Sequence, residues 1–183
     1  NMALFKNKYR IESTRLTSWD YNGEGMYFVT ICTKNREHFF GECKDKKMKL
    51  SSIGALIQGF WYQIPKHFPH VTLGEFIVMP NHIHGIIDIG VLKESKEKAV
   101  NDVKKQTKFY QSIAPQASGV PVVIRSFKSV CTKHINEIFP SLGFAWQERY
   151  WEHIIKDVDS FQKISNYIYS NPDSWEDDKF FLP

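Results

Sequence analysis

Two strand-like runs in the middle of the chain, separated by only two residues, constrain the fold most. Residues 71–79 and 82–88 are rich in β-branched and apolar side chains, and Pro80-Asn81 between them is typical of a turn. So short a connection can join only antiparallel neighbours, so the two runs predict a β-hairpin. Helical patterns flank this pair on both sides, and we therefore expect it inside a mixed α and β fold.

The patterns on either side of the hairpin supply the rest of a sheet. Before the hairpin we predict a strand at 26–33, a charged connection at 34–49 with room for a short hairpin, and a helix that begins at Ser51 or Ser52 and ends before Pro69. After the hairpin we predict a helix at 122–139, a strand at 150–156, and a last helix that is capped by Asp157 or Asp159 and runs to about Ser170. Apart from the short hairpin, the first six elements match the ferredoxin-like β-α-β-β-α-β arrangement. The predicted class is α+β: an antiparallel sheet on two helices, with one face free and a C-terminal helix that reaches it.

Composition sets the broad class of the protein. The chain has 183 residues, 42% hydrophobic and 24% charged, which fits one globular domain over 1–183. Its three cysteines are widely spaced and odd in number, so they predict neither a disulfide framework nor a zinc ribbon, and we expect a reducing cytoplasm. No apolar run reaches the length of a membrane span, so no membrane partner is expected. Residues 91–118 are rich in lysine and predict a flexible loop within the domain.

The second hairpin run begins with a His-x-His pair, His82 and His84. Side chains two apart on a strand share a face, so two imidazoles would converge on one point and could hold a divalent ion with open positions left for substrate. We expect Ile83, Ile86 and Met79 to fill the buried side and both histidines to face away from it. A partly exposed structural pair is the alternative.

The last predicted helix carries a second candidate group. At 100° per residue its apolar stripe leaves Tyr167 and Asn171 together on one flank and Tyr169 on the opposite flank. A tyrosine beside a metal pair suggests covalent phosphoryl transfer on DNA. The alternative is that Tyr167 only edges the core, with Asn171-Pro172 as a helix stop.

Several positions are candidates for contact with nucleic acid, which a net charge of +4 and a pI near 8.9 permit. Polar residues cluster on one side of the second long helix and would bind backbone phosphates, or else form a solvated face: Arg125, Lys128, Ser129, Thr132 and Lys133. Arg149, ahead of the last strand, either contacts DNA or packs at the sheet edge. Basic residues before position 16 could form an arm onto a DNA hairpin: Lys6, Lys8, Arg10 and Arg15.

Five segments together resemble the single-tyrosine HUH transposases, in the branch of REP-associated tyrosine transposases. They are YFVTICTKNR (27–36), VMPNHIHGII (78–87), VIRSFKSVCTKHIN (123–136), WQERYWEHIIKD (146–157) and YIYSNPDSW (167–175), in the family's order. Ile83 fits the large hydrophobic residue in the middle of the HUH motif. The resemblance implies that Tyr167 is the catalytic tyrosine, and that Asn171 joins His82 and His84 as the third metal ligand.

The resemblance also implies a reaction. A metal-bound site would cleave and rejoin single-stranded DNA near hairpins, through a 5′-phosphotyrosine intermediate and a free 3′-OH, with Mg²⁺ as the ion and Mn²⁺ as its substitute. A free tyrosine has a pKa of about 10 and needs such help at neutral pH. The protein would act as a monomer or a homodimer.

Two other functions compete with this hypothesis. A domesticated relative would bind single-stranded DNA or hairpins without cutting. A metal-dependent hydrolase would use water as its nucleophile and would tolerate Tyr167→Phe. Formation of a covalent protein–DNA adduct separates all three.

Overall fold

The computed structural model describes residues 23–90 and 119–181. Six strands and three long helices follow in chain order: β1 Gly25–Cys32, β2 Gly41–Lys44, β3 Lys47–Leu50, α1 Ser52–His67, β4 Val71–Met79, β5 His82–Ile89, α2 Val120–Ile138, β6 Trp151–Ile155 and α3 Val158–Ser170. A 3₁₀ segment, Asn171–Asp177, follows α3 directly. The basic arm and the lysine-rich loop at 91–118 lie outside the described residues, so those two predictions, and that of a single domain over the whole chain, stay predictions.

The central sheet has the order β4-β5-β1-β6, and every neighbouring pair is antiparallel. Taken with the helices between the strands, this confirms the predicted α+β class and the ferredoxin-like arrangement. The hairpin of β4 and β5 forms around the Pro80-Asn81 turn, as predicted. The charged connection contains a separate two-stranded sheet, β2 and β3. Among the described helices, none has the length and hydropathy of a membrane span.

The helices α1 and α2 cover one face of the sheet. Ser51 begins α1, because its side chain accepts a hydrogen bond from the Gly54 amide at 3.0 Å. The same register that pairs Ile31 with Ile83 puts both side chains in the core with Trp61 of α1. Burial of alternate strand residues against two helices is the main favourable term for this half of the molecule.

The other face of the sheet carries the histidines and the C-terminal helix α3, as predicted, but it is also covered by the chain after α3, which was not predicted. Ile168 of α3 packs with Ile86 and Ile155, and the chain after α3 runs across the histidines. Ile86 therefore lies on the histidine side, as the period of two requires. Met79 does as well, because it is the direct partner of His82 in the hairpin register. Of the three residues expected on the buried side, only Ile83 is in the helix-side core.

Gly85 of β5 has no room for a side chain. A Cβ there would lie 2.8 Å from Cη2 of Trp61, which stacks on Phe76 with ring centroids 4.5 Å apart. We expect Gly85→Ala to lower the free energy of unfolding by about 1–3 kcal/mol, because the two rings must shift. Urea denaturation of the purified protein measures this.

The matched control is Gly59→Ala on α1, where a new Cβ meets nothing within 4 Å. Alanine at this helical position should leave stability unchanged or raise it by up to about 1 kcal/mol. Equal effects of the two substitutions would contradict the packing described for Gly85.

Candidate metal and nucleophile site

The two histidines of the His-x-His pair meet on one side of β5. His82 and His84 are both fully buried, and their Nε2 atoms lie 3.0 Å apart. The partly exposed pair considered as the alternative is therefore not what the structure has. Each ring is held from behind at Nδ1: by Asn81 Oδ1 at 2.8 Å for His82, and by Thr30 Oγ1 at 2.8 Å for His84. Such partners fix ring orientation and direct Nε2 toward a metal ion.

The hydrogen bonds of Asn81 determine the tautomer of His82. The Asn81 amide nitrogen donates to the carbonyl oxygens of Phe180, at 2.8 Å, and Arg36, at 3.2 Å. Its oxygen must therefore face His82, whose Nδ1 is the donor. The proton of the neutral imidazole is thus on Nδ1, and Nε2 keeps its lone pair for a ligand.

Asp178 and Asn171 complete the set of donor atoms. One ring nitrogen from each histidine and a carboxylate oxygen of Asp178 all lie within 4.8 Å of one another. Asn171 donates through Nδ2 to Asp178 Oδ2 at 3.2 Å. Its other polar atom, Oδ1, is buried and has no hydrogen-bond partner among the described residues. A buried amide oxygen left without a donor is costly, and a bound cation would satisfy it.

These residues fit a divalent cation. Two nitrogens in adjacent positions about 2.1 Å from one ion lie about 3 Å apart, which matches the separation of the histidine Nε2 atoms. The donor set offers two neutral nitrogens, a carboxylate oxygen and an amide oxygen, and it suits several first-row and hard divalent ions.

Tyr167 points at this cluster from α3. Its hydroxyl lies 3.3 Å from His84 Nε2 and 3.4 Å from Asp178 Oδ2, and its ring contacts that of Phe28 edge-on. The side chain is 40% exposed, so the hydroxyl borders a cavity of about 400 Å³ that is open to solvent. Tyr169 is 86% exposed on another side of the helix. Helix geometry therefore brings Tyr167 and Asn171 to the site together and leaves Tyr169 out.

Burial controls the protonation of all three ring groups. Burial, and to a smaller extent the charges of Lys179 and Arg36, lowers the pKa of His82 to about 3. Burial and the neighbouring His82 hold the pKa of His84 well below its usual value. Burial and the carboxylate of Asp178 raise the pKa of Tyr167 to about 12. At neutral pH both imidazoles are neutral and the phenol keeps its proton.

The chain after α3 forms a cover over the histidines, which we call the C-terminal cover (Trp175–Phe181). The Phe180 ring lies 4.7 Å from that of His82, between centroids. Arg36 donates to the Lys179 carbonyl at 3.0 Å, and Asp178 Oδ1 accepts from the Phe180 amide at 2.7 Å. These bonds place the Asp178 carboxylate and explain why the imidazoles are buried.

The candidate DNA-contacting residues lie elsewhere. They belong to α2 and the segment before β6, so α2 places most of them on the helix face of the sheet, opposite the histidines. Lys128 donates to the carbonyls of Gln147, at 2.7 Å, and Glu148, at 3.0 Å, and Thr132 donates to the Lys128 carbonyl at 2.8 Å. Ser129, Thr132 and Lys133 line a groove with Lys128, whereas Arg125 and Arg149 are exposed. The structure does not bring this set to the metal cluster.

Three residues of the site were missed by sequence reasoning: Asp178, Thr30 and Asn81. Asn81 was read only as part of a turn, although it directly precedes the histidines. Thr30 could have been found from the register, because it is the direct partner of His84 across β1 and β5. Asp178 carries no periodic signal, since it lies beyond the last helix among other acidic residues.

Comparison with known proteins gives the family. An uncharacterized protein of Haemophilus influenzae is 38% identical over 174 residues, which cover 93% of this chain and 92% of that protein. The chain belongs to the same family as this protein. A second protein of that organism, named "Putative REP-associated tyrosine transposase", is 24% identical over 153 residues, covering 84% of this chain and 73% of its own length. The resemblance to REP-associated tyrosine transposases is thereby confirmed. No protein-family model matches the chain.

Two solved structures are similar to this chain at low sequence identity. One is a REP-associated tyrosine transposase bound to a REP hairpin, with a TM-score of 0.49 and 15% identity, covering 88% of this chain and 74% of that one. The other is a crystal structure titled as a "putative transposase" of Deinococcus radiodurans, with a TM-score of 0.46 and 14% identity, covering 85% and 95%.

The buried histidines predict a dependence of stability on pH. The pKa of His82 is about 3 in the folded chain and about 6.5 when unfolded, so between these values the unfolded chain holds more protons. With metal removed by EDTA, stability should be full above pH 6.5 and should fall as the pH drops, by up to about 1.4 kcal/mol per pH unit for this histidine. Urea denaturation at pH 7.5 and 5.5 measures this fall.

The fall should be smaller in His82→Gln. His134 is the control, because its side chain is 47% exposed, pairs with Glu137 at 3.3 Å and stacks on Phe60, far from the buried histidine pair. His134→Gln should keep the wild-type dependence. If His82→Gln kept it as well, the buried, neutral state of His82 would be refuted.

Proposed function

We propose that this protein is a metal-dependent transposase that cleaves and rejoins single-stranded DNA, with Tyr167 as its nucleophile. The observation that carries the proposal is the position of the Tyr167 hydroxyl, 3.3 Å from Nε2 of His84 at the edge of a buried set of metal-ligating atoms. The sequence similarity to a REP-associated tyrosine transposase supports it.

His82, His84 and Asn171 would hold Mg²⁺, or Mn²⁺ as its substitute, together with Asp178. When bound, the ion supplies positive charge that polarises the scissile phosphate and offsets the negative charge of the transition state. The protein's own contribution is to fix both imidazoles as neutral ligands and to exclude water from their far side. The buried Asn171 Oδ1, which lacks a partner among the described residues, supports its place in this set.

Tyr167 carries the covalent step. Its oxygen attacks phosphorus in line, an O–P bond to tyrosine forms, and the bond from phosphorus to the 3′ oxygen breaks. The phenol proton passes to water in the open cavity, and the leaving 3′ oxygen takes a proton from water, so the protons balance. The product is a 5′-phosphotyrosine and a free 3′-OH. Attack by a 3′-OH on this link reverses the step and joins strands without ATP.

The substrate we propose is single-stranded DNA beside a hairpin. One structural neighbour is a REP-associated tyrosine transposase bound to a REP hairpin, and we propose the same class of ligand for this chain. Exposed cations on the helix face and at the sheet edge would bind backbone phosphates away from the cut: Arg125, Lys133 and Arg149. Ser129 would add a hydroxyl donor, whereas Thr132 already donates to the Lys128 carbonyl and Lys128 holds the loop before β6 in place. The protein would work in the cytoplasm, as a monomer or a homodimer.

Replacement of the nucleophile gives the sharpest test. The protein is incubated with labelled single-stranded oligonucleotides from the DNA flanking its gene, in Mg²⁺ or Mn²⁺, and run on a denaturing gel. Wild type should form a covalent adduct that EDTA abolishes. Tyr167→Phe should form none, because it removes the attacking oxygen, and Tyr169→Phe should behave as wild type.

The other outcomes identify the competing functions. Cleavage that survives in Tyr167→Phe without an adduct would assign the nucleophile to water and make the protein a metal-dependent hydrolase. Binding without cleavage in either metal would make it a non-cleaving module for single-stranded DNA or hairpins. An adduct lost only in Tyr169→Phe would make Tyr169 the nucleophile and would contradict the proposal, because Tyr169 lies on a side of α3 away from the metal cluster.

The place of Asp178 in the ligand set has its own test. Asp178→Asn removes the only negative charge of the proposed set, so Mn²⁺ binding measured by calorimetry should weaken by about tenfold or more. Asp173→Asn, at an exposed position of the 3₁₀ segment that precedes Asp178, should bind Mn²⁺ as wild type does. Equal affinities of both variants and wild type would leave His82, His84 and Asn171 as the ligands.

A further inference from the structure

Trp151 is an exposed tryptophan on the edge strand of the sheet, and the chemistry proposed above does not use it. Its side chain is 48% exposed, although tryptophan is among the side chains that gain most from burial. The preceding tryptophan, Trp146, is only 8% exposed and belongs to the helix-side core. The two therefore differ: Trp146 packs in the helix-side core, whereas about half of the Trp151 side chain faces solvent.

The sheet register puts Trp151 beside the candidate site. Thr30 of β1 is the direct partner of His84 on one side and of Trp151 on the other. Direct partners in antiparallel strands point to the same face, so Trp151, Thr30 and His84 form one row on the histidine face. Two strand spacings of about 4.8 Å put the Trp151 backbone about 10 Å from that of His84.

A cation sits over the Trp151 ring. Nζ of Lys179 lies 5.7 Å from this ring's centroid and 4.8 Å from that of Phe180. Lys179 is exposed, and with Thr30 it lines the cavity that the Tyr167 hydroxyl borders. Lys179 therefore lines the cavity and at the same time contacts the ring of Trp151, which links the exposed tryptophan of β6 to the cavity.

We propose that Trp151 and Lys179 form a subsite for the nucleotide that flanks the scissile phosphate, with its base stacked on Trp151 and its phosphate paired with Lys179. An aromatic platform beside a lysine is the combination that single-stranded nucleic acid binds without regard to sequence. A duplex would not fit this chemistry, because its bases are already stacked and paired. The subsite rests on the proposed function for its substrate class and adds the position where the strand enters.

The position of the subsite also has a directional consequence. Trp151 lies on β6, at one edge of the sheet, whereas α3 contacts β4 at the other edge and carries Tyr167 over the histidines. A strand stacked on Trp151 reaches the histidines by way of Thr30 and passes under Lys179. The exposed face of β6 is therefore the approach to the cavity, and the C-terminal cover supplies its cation.

The test measures affinity rather than cleavage. A fluorescein-labelled, mixed-sequence single-stranded oligonucleotide is titrated with the full chain in EDTA, so that no strand is cut, and anisotropy gives Kd. Trp151→Ala should weaken binding by about 5- to 150-fold, and Trp151→Phe should recover most of the loss, because phenylalanine keeps a stacking face. Lys179→Gln should lower the slope of log Kd against log salt by about one.

Tyr62→Ala is the matched control, since Tyr62 is 54% exposed on α1, on the opposite face of the sheet. It should bind as wild type does. An unchanged affinity in Trp151→Ala would overturn the subsite. If both variants lost the same affinity, the loss would not be specific to Trp151, and this result would overturn it too. A change of oligomeric state in Trp151→Ala, seen by sedimentation with DNA affinity unchanged, would assign the ring to contact with a second copy and overturn it as well.

The inference and the proposed function fail separately. An affinity that depends on Trp151, in a protein that forms no adduct, would support the subsite and refute the transposase. An adduct that depends on Tyr167, in a protein whose affinity ignores Trp151, would do the reverse. Trp151→Ala removes the buried half of this side chain, so its thermal unfolding is measured beside that of Trp151→Phe, and affinities are compared at a temperature where both variants are fully folded.

Discussion

The contact on which the site depends is the approach of two buried imidazoles, with their Nε2 atoms 3.0 Å apart. Adjacent positions on one face of a strand bring them close, but two bare nitrogen lone pairs at that distance repel each other unless a proton or a cation lies between them. Thr30 and Asn81 hold the rings in this position from behind, so the protein maintains the arrangement rather than relaxing it. Hydrogen bonds at each Nδ1 offset part of the free energy lost when the imidazoles are removed from water, and a cation bound at Nε2 would offset the rest.

Much of the fold could be predicted because local patterns determine it. The period of two in β1 and β5, the spacing of apolar residues in α1, and the caps at Ser51 and Asp157 all appear in the structure within one or two residues of their predicted positions. The face on which Ile86 lies was predicted wrongly, although the same period of two puts Ile86 on the face of His82 and His84. The face on which Met79 lies was also predicted wrongly. The two-residue turn implies a hairpin register in which Met79 is the direct partner of His82 and so shares its face.

The site was predictable only where secondary structure generates it. His82 and His84 share a face because they are two apart, and Tyr167 and Asn171 share a flank because they are four apart on one helix. Asp178 follows from neither period. Its position depends on hydrogen bonds between residues far apart in sequence, such as that from Arg36 to the Lys179 carbonyl. For the same reason the burial of the histidines could not be predicted, since the segment that covers them has no regular apolar pattern.

Asn81 links the covering segment to the chemistry. Its amide nitrogen binds the Phe180 carbonyl, and its oxygen accepts the proton of His82 Nδ1. One side chain therefore ties the position of the C-terminal cover to the lone pair that His82 presents. If the cover moved away, Asn81 would lose its partner at Phe180, the constraint on its amide orientation would weaken, and the carboxylate of Asp178 would leave the histidines together with it. The residues that bury the site thus also set its ligand geometry, and the metal set and its cover behave as one structural unit.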